Sequence, residues 1–367
     1  MMSEQFFLPK YEPKVPSSQT VIWSAPSNIA LVKYWGKKPV QLPANASVSF
    51  TLSNCKTITE VTFLGKKLKD DKHSFDVLVD DVSNESFRPK IESFFTKAQE
   101  YLPFLSSGHF QIRTTNTFPH SSGIASSASG MAALALCLMS IEKSLDPTMS
   151  EDFFLAKASF LARLGSGSAC RSIKGSMVAW GSHPAVSNSS DLFGVPLRQP
   201  WHEFFLNYQD TILIVEEGQK QVSSTAGHDL MHNHPFAQQR FEQAETNLTD
   251  LMTAMTQGDL DEFIAIVESE ALTLHAMMMT SNPAYVLMQP ATLSIIKAVW
   301  NFRKSTQIPI CFTLDAGANV HLLYPKSVKS EVLSFIEQEL VAYCQNGRYI
   351  CDELGEGSIQ LNVYPNS

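Results

Sequence analysis

The first residues able to do chemistry lie in NTFPHSSGIASSASGMAALALCLM, residues 116–139. Pro119, Gly123 and the serines Ser121, Ser122, Ser126, Ser127 and Ser129 precede an Ala/Leu/Met run. Small side chains let an anion approach backbone N–H groups, and hydroxyls add donors. A helix that starts just afterwards aims its positive dipole end at that anion. No Gly-Lys-Ser/Thr follows, so this is not a Walker A loop. The competing reading is a serine-rich turn that caps a core helix.

Charged groups recur in three other places. VIWSAPSNIALVKYWGKK (21–38) holds Asn28, Lys33, Tyr34 and Lys37. A lysine inside an apolar run is uncommon unless paired or snorkelling, and strand alternation puts Leu31 and Trp35 on the face of Lys33. SGSACRSIKGSMVAWG (166–181) sets Arg171 in a serine- and glycine-rich segment with Ser166 and Ser168. A guanidinium there suits bidentate binding of a carboxylate or phosphate, the alternative being a surface pair with an acid. Asp315 stands where an apolar strand gives way to Ala-Gly, a place for a catalytic carboxylate or for ordinary turn chemistry. Ser223, Ser224 and Thr225 add hydroxyls in a loop suited to line a cleft. In HDLMHNH (228–234), His228 and His232 are four residues apart, but no carboxylate partner completes a metal site.

These groups need elements to position them. Alternation gives strands at 21–24, interrupted by Pro26, and at 31–35. A strand pair is expected at 47–53 and 57–63, with a charged hairpin tip at 65–72, then a short strand at 75–79. Residues 88–101 read as an amphipathic helix, and 128–143 as the helix after the serine loop. Ser150 caps a helix that Gly165 ends, and 176–180 is a strand. DTILIVEE opens the second half, followed by helices at 236–256, 259–279 and 284–304. Residues 309–325 read as two strands around a turn, 327–343 as a helix capped by Ser327, and 359–363 as a closing strand. The proline-bearing arm, residues 1–19, reads as irregular.

Length suggests two domains, with a polar Pro/Gly boundary near 185–205 giving 1–195 and 196–367. Hydrophobic content of 44% with 10% aromatics supports sizeable cores and excludes disorder. Thirty-six acidic against 28 basic residues, net −8, argues against a nucleic-acid or membrane-surface binder. The six scattered cysteines form no C-x-x-C pair, so neither a disulfide frame nor a zinc site is expected. The acidic, proline-bearing start does not resemble a signal peptide, and no apolar run reaches membrane-span length. A soluble cytoplasmic protein is expected.

Five segments together resemble the diphosphomevalonate decarboxylase family of the GHMP kinase superfamily. They are APSNIALVKYWGKK, NTFPHSSGIASSASG, GSGSACRSIKGSMVAWG, VSSTAGH and FTLDAGANVHLLY, in the family's order. The resemblance implies an α+β fold: an N-terminal domain like ribosomal protein S5 domain 2, and a C-terminal ferredoxin-like domain. It implies ATP-dependent decarboxylation of mevalonate 5-diphosphate, with ATP and Mg²⁺ required. Asp315 would orient or deprotonate the C3 hydroxyl, Arg171 would hold the carboxylate, and Lys33 would supply positive charge. Tyr34, Lys37, Ser166 and Ser168 would hold the diphosphate, with Ser223 and Ser224 in a nearby loop. Asn28, Ser122, Gly123, Ser126, Ser127 and Ser129 would contact the nucleotide. No protein cage for the metal is implied, and a homodimer is, by analogy. The chain departs from the pattern at Ala318, where the family often has Pro, at His120-Ser121-Ser122 in place of Thr-Ala-Ala, and at His228, where Met is usual. Competing readings are a phosphomevalonate decarboxylase, a mevalonate 3-kinase, or a non-catalytic binding protein of the same fold.

Overall fold

The computed structural model describes residues 3–365 except 13, 68–71, 120–123 and 219–223. An eight-stranded sheet and an antiparallel four-stranded sheet organise it. The strands Gln19–Val32 and Ser47–Leu64 pair along most of their length at the centre of the larger sheet. His109–Asn116 and Ser74–Val79 extend it on one side. Helices Ser126–Lys143 and Glu151–Gly165 pack together, the first against the two central strands. Fully buried Phe63, Phe95, Phe110 and Leu136 fill that layer.

The smaller sheet runs Cys311–Thr313, Val320–Tyr324, Gln209–Leu213, Tyr349–Glu353. Helices Ala237–Gln257, Leu260–Met279 and Pro290–Thr306 accompany it. One buried cluster joins the halves, bringing Ile29, Val48 and Phe50 against Tyr208, Leu248 and Phe263. Among the described residues, no helix is long and apolar enough to cross a membrane.

Several elements differ from expectation. Pro26 does not break the first strand. It sits at a register shift, where the ladder needs no N–H from it. Segments 47–53 and 57–63 are one strand, because both pair with the same neighbour. At the irregularity between them, Asp352 accepts the N–H groups of Ser53 (2.8 Å), Asn54 (2.8 Å) and Cys55 (2.7 Å), so the smaller sheet grips the larger one there.

The helix expected from residue 284 begins at Pro290, after a Gln289–Thr292 capping box. The stretch 327–343 is not one helix with Ser327 as its cap. Lys329–Phe335 is helical, and tighter and wider turns flank it. The final strand, Ile359–Leu361, pairs with Gln19–Val32, so the chain end returns to the first sheet. The N-terminal arm is tied down: Phe7 stacks on Phe160 at 4.4 Å, and Glu4 pairs with Arg163 at 2.9 Å. Of the hairpin tip at 65–72, residues 68–71 lie outside the described residues.

Candidate active site

Lys33 stands one residue past the end of the strand Gln19–Val32. Its backbone is held on both sides. The N–H donates to Glu270 Oε2 at 2.7 Å, and the carbonyl accepts Asn45 Nδ2 at 3.0 Å and Arg240 Nη2 at 3.3 Å. Glu270 and Arg240 themselves form a fully buried pair at 2.5 Å. Thus the helices of one half fix the strand end of the other. The Lys33 ammonium lies 3.1 Å from Asp315 Oδ1. Burial pulls the ammonium below its usual range, while Asp315 and then Glu270 oppose that shift.

Asp315 follows the short strand Cys311–Thr313. Its carbonyl accepts from His275 Nε2 at 3.1 Å and from Gly317 N at 2.7 Å. Burial lowers the His275 imidazole to about 4, so this histidine is a neutral prop. The turn beyond is held despite Ala318: Thr292 donates its hydroxyl to the Ala318 carbonyl at 2.7 Å.

Arg171 is 2% exposed in the tight turn Gly167–Ser172, not on the surface beside an acid. It donates to Ser49 Oγ at 2.7 Å and Ser47 Oγ at 2.6 Å, and its guanidinium sits 5.8 Å from the Trp180 ring centre. Those partners are neutral, so its charge remains available to an anion. Gly167 is required in that turn. A Cβ there would lie 2.9 Å from the Trp180 ring and 3.0 Å from the Tyr34 hydroxyl. The Tyr34 phenol therefore abuts the Ser166–Ser168 segment, and burial pushes its pKa up.

Lys33, Arg171 and Asp315 line one cavity of about 800 Å³. Asn28, Tyr34, Lys37, Ser126, Ser127, Ser166 and Ser168 line it as well. Asn28 also braces the wall, donating to Ser172 Oγ at 2.8 Å and to the Ser168 carbonyl at 3.3 Å. Lys37 pairs with Asp229 at 3.0 Å. Ala125, with φ 42° and ψ 37°, turns the chain into the helix that bears Ser126 and Ser127. Ser129 lies apart from these groups. It is buried against Thr57 Oγ1 at 2.6 Å, and it is not a lining residue. Ser122, Gly123 and Ser223 fall outside the described residues, and Ser224 opens the short helix Ser224–Asp229.

The helix Arg88–Ala98 contributes residues with no motif to mark them. Lys90, Ser93 and Lys97 line the cavity, and Lys90 donates to Ser127 Oγ at 2.8 Å. Desolvation against the cavity wall lowers the Lys90 ammonium to about 8, and no ion pair holds it among the described residues. Its side chain opens to the cavity, so an incoming anion has direct access. Among the described residues, five cations (Lys33, Lys37, Lys90, Lys97 and Arg171) thus surround one carboxylate, Asp315, in an otherwise acidic chain. That balance suits a polyanionic guest and a single proton acceptor.

The HDLMHNH histidines diverge. His228 lines the cavity, His232 is exposed, and His234 binds the Met277 carbonyl and Thr280, each at 3.1 Å. Among the described residues, no three His, Cys, Asp or Glu side chains gather as a metal cage.

Family models match in series. Residues 25–191 fit the diphosphomevalonate decarboxylase-like N-terminal domain, and 211–362 fit the mevalonate 5-diphosphate decarboxylase C-terminal domain. The diphosphomevalonate decarboxylase of Debaryomyces hansenii is 30% identical over 326 residues, 85% of this chain and 81% of that protein. A solved chain described as MDDEF in complex with MVAPP, AMPPCP and magnesium superposes with a TM-score of 0.80 at 27% identity. The match covers 95% of this chain and all of that one. The mevalonate diphosphate decarboxylase of Staphylococcus aureus gives a TM-score of 0.79 at 27% identity over 94% of this chain and 98% of its own. The chain belongs to the diphosphomevalonate decarboxylase family.

Proposed function

We propose that this protein catalyses the ATP-dependent decarboxylation of mevalonate 5-diphosphate to isopentenyl diphosphate, in the mevalonate pathway of isoprenoid biosynthesis. The observation that carries the reading is the Lys33–Asp315 pair at 3.1 Å, formed across the two halves in a cavity shared with Arg171.

A tertiary hydroxide is a poor leaving group, and phosphate is a good one. In the first step the C3 hydroxyl oxygen of the substrate bonds to the γ-phosphorus of ATP, and the bond to the β-bridging oxygen breaks to release ADP. Asp315 orients that hydroxyl and takes its proton. Lys33 offsets negative charge that builds beside the carboxylate. Departure of the C3 phosphate then breaks the C3–O bond. The C1–C2 electron pair becomes the new double bond, and CO2 leaves. Arg171 holds the carboxylate that becomes CO2, aligning the bond that breaks.

Tyr34, Lys37, Ser166 and Ser168 receive the diphosphate end. Asn28, Ser126, Ser127 and Lys90 receive the nucleotide phosphates, together with Ser122 and Gly123. Ser223 and Ser224 match a family segment beside the substrate, and Ser129 supports the phosphate turn from within. The unpaired Lys90 ammonium, reaching Ser127, fits a phosphate-bearing guest. Mg²⁺ would neutralise charge on those phosphates, with no dedicated protein cage required. The division at 1–195 and 196–367 leaves the site between the parts. A cytoplasmic homodimer completes the reading, to be tested by sedimentation and cell fractionation.

The deciding assay offers purified protein ATP and Mg²⁺ with mevalonate, its 5-phosphate or its 5-diphosphate, while CO2 and ADP are measured. Both products with the 5-diphosphate alone support the reading. ADP without CO2 points to a 3-kinase, preference for the 5-phosphate to the monophosphate enzyme, and no product to a binding protein.

A further inference from the structure

His228 is a buried histidine that the proposed mechanism does not use. It is 8% exposed and belongs to the short helix Ser224–Asp229. Its ring lies between two aromatic rings from the other half, 4.2 Å from Tyr34 and 4.6 Å from Trp35. The helix reaches that seat because Gly227 carries no side chain: a Cβ there would stand 2.6 Å from the Trp35 ring.

The hydrogen bonding fixes the tautomer. His228 Nδ1 faces the Gly36 N–H at 3.0 Å and can only accept. A neutral imidazole with Nδ1 as acceptor carries its proton on Nε2. Burial, then the positive charges of Lys37 and Arg171, push the ring down to about 3, with the negative charge of Asp229 opposing them. The imidazole is therefore neutral throughout the working pH range. Nε2–H has no hydrogen-bond partner among the described residues, and the residue lines the cavity alongside Tyr34 and Lys37. The Nε2–H is open to the cavity, not sealed in the core, and a net hydrogen bond from it to a charged acceptor contributes about 1.5–3 kcal/mol.

We propose that His228 is a substrate contact, its Nε2–H donating to a phosphoryl oxygen of the 5-diphosphate chain beside Tyr34 and Lys37. The inference rests on the proposed function for the identity of the substrate. A neutral donor binds a phosphoryl oxygen without adding charge to a wall that already holds Lys37 and Arg171. The two tilted rings and the Gly36 bond keep the imidazole from rotating when the ligand arrives.

The test pairs spectroscopy with kinetics. Nitrogen-15 labelled protein is titrated with inorganic pyrophosphate and then with mevalonate 5-diphosphate, and the His228 side-chain resonances are followed. The expected result is an Nε2-protonated neutral ring before addition and a shift of its Nε2–H signal on saturation with either anion. H228Q and H228F are assayed in parallel; the second keeps a ring beside Tyr34 and Trp35 and lacks the donor. Both should raise KM for mevalonate 5-diphosphate about tenfold, with smaller changes in kcat and in KM for ATP. An unmoved Nε2–H signal at saturation overturns the proposal, as does an H228F variant with an unaltered substrate KM. Turnover by wild-type enzyme with His228 unmoved removes this inference and leaves the function standing. Absence of turnover removes the function, while the pyrophosphate titration still decides whether His228 binds a phosphoryl group.

Discussion

Lys33 Nζ and Asp315 Oδ1 meet at 3.1 Å although 282 positions separate them in the chain. One residue stands just past a strand of the larger sheet, and the other follows a strand of the smaller. Neither half alone holds both charges, so the docked interface creates the pair. Desolvating the Lys33 ammonium is costly, and the nearby carboxylate is what makes the charged form tolerable.

Asp315→Asn should lower turnover by about 10²–10⁴-fold, the usual contribution of a positioned general base. The nucleotide contacts assigned to Ser126, Ser127 and Lys90 do not include this carboxylate. Titration calorimetry with a non-hydrolysable ATP analogue should accordingly give a nearly unchanged Kd. Loss of nucleotide binding together with turnover would show that Asp315 serves the nucleotide instead.

Arg171→Ala should cut CO2 release about a hundredfold, the worth of a charge-assisted bidentate contact. ADP formation should fall less, because phosphorylation at C3 does not require the carboxylate to be aligned. Simultaneous assays of CO2 and ADP separate the two steps, and undiminished CO2 release excludes the carboxylate role.

The trio proposed as catalytic was legible because each charge interrupts an apolar or small-residue run: Lys33 after Leu31 and Val32, Arg171 between Ser-Ala-Cys and Ser172, Asp315 after Thr313 and Leu314. Burying a charge in such a place needs a purpose, and sequence shows that conflict directly. Lys90 and Lys97 gave no such signal, since they look like the solvent face of an amphipathic helix. Their place in the cavity follows from how that helix docks. Glu270 likewise reads as a surface acid among Glu268, Ser269 and Ala271, and only Arg240 from another helix accounts for its burial. Pro26 was misleading because local propensity cannot see that a second strand tolerates a register shift opposite it. The strand Tyr349–Glu353 went unread because its partly exposed residues lack alternation.

Lys90 gives ATP binding a pH dependence. Its ammonium is lowered to about 8, so it is charged below that pH and loses charge as pH rises through it. ATP affinity should weaken about tenfold between pH 7 and 9. In Lys90→Arg the guanidinium stays charged, and the affinity should remain level across that range. In Lys90→Met it should be weak at every pH. Fluorescence titrations with a nucleotide analogue supply the measurement, and an equal pH slope in wild type and Lys90→Arg rules Lys90 out.

Glu270 and Arg240 should affect stability and activity by separable routes. Glu270 Oε1 accepts Arg240 Nη1 at 3.0 Å and Asn247 Nδ2 at 2.7 Å, while Oε2 accepts Arg240 Nη2 at 2.5 Å and the Lys33 N–H at 2.7 Å. Removing one partner strands a buried charge, so Arg240→Ala or Glu270→Ala should cost about 3–5 kcal/mol in urea unfolding. Removing both charges with Arg240→Met and Glu270→Leu together should recover much of that loss, since apolar replacements of a buried pair are often neutral. Activity should not recover in the double variant. The Lys33 N–H still lacks its carboxylate and the Lys33 carbonyl its guanidinium, so the ammonium is no longer held at Asp315. Stability and kcat measured on the same preparations decide the matter: full recovery of both would mean that the buried pair supports the fold and does not position Lys33.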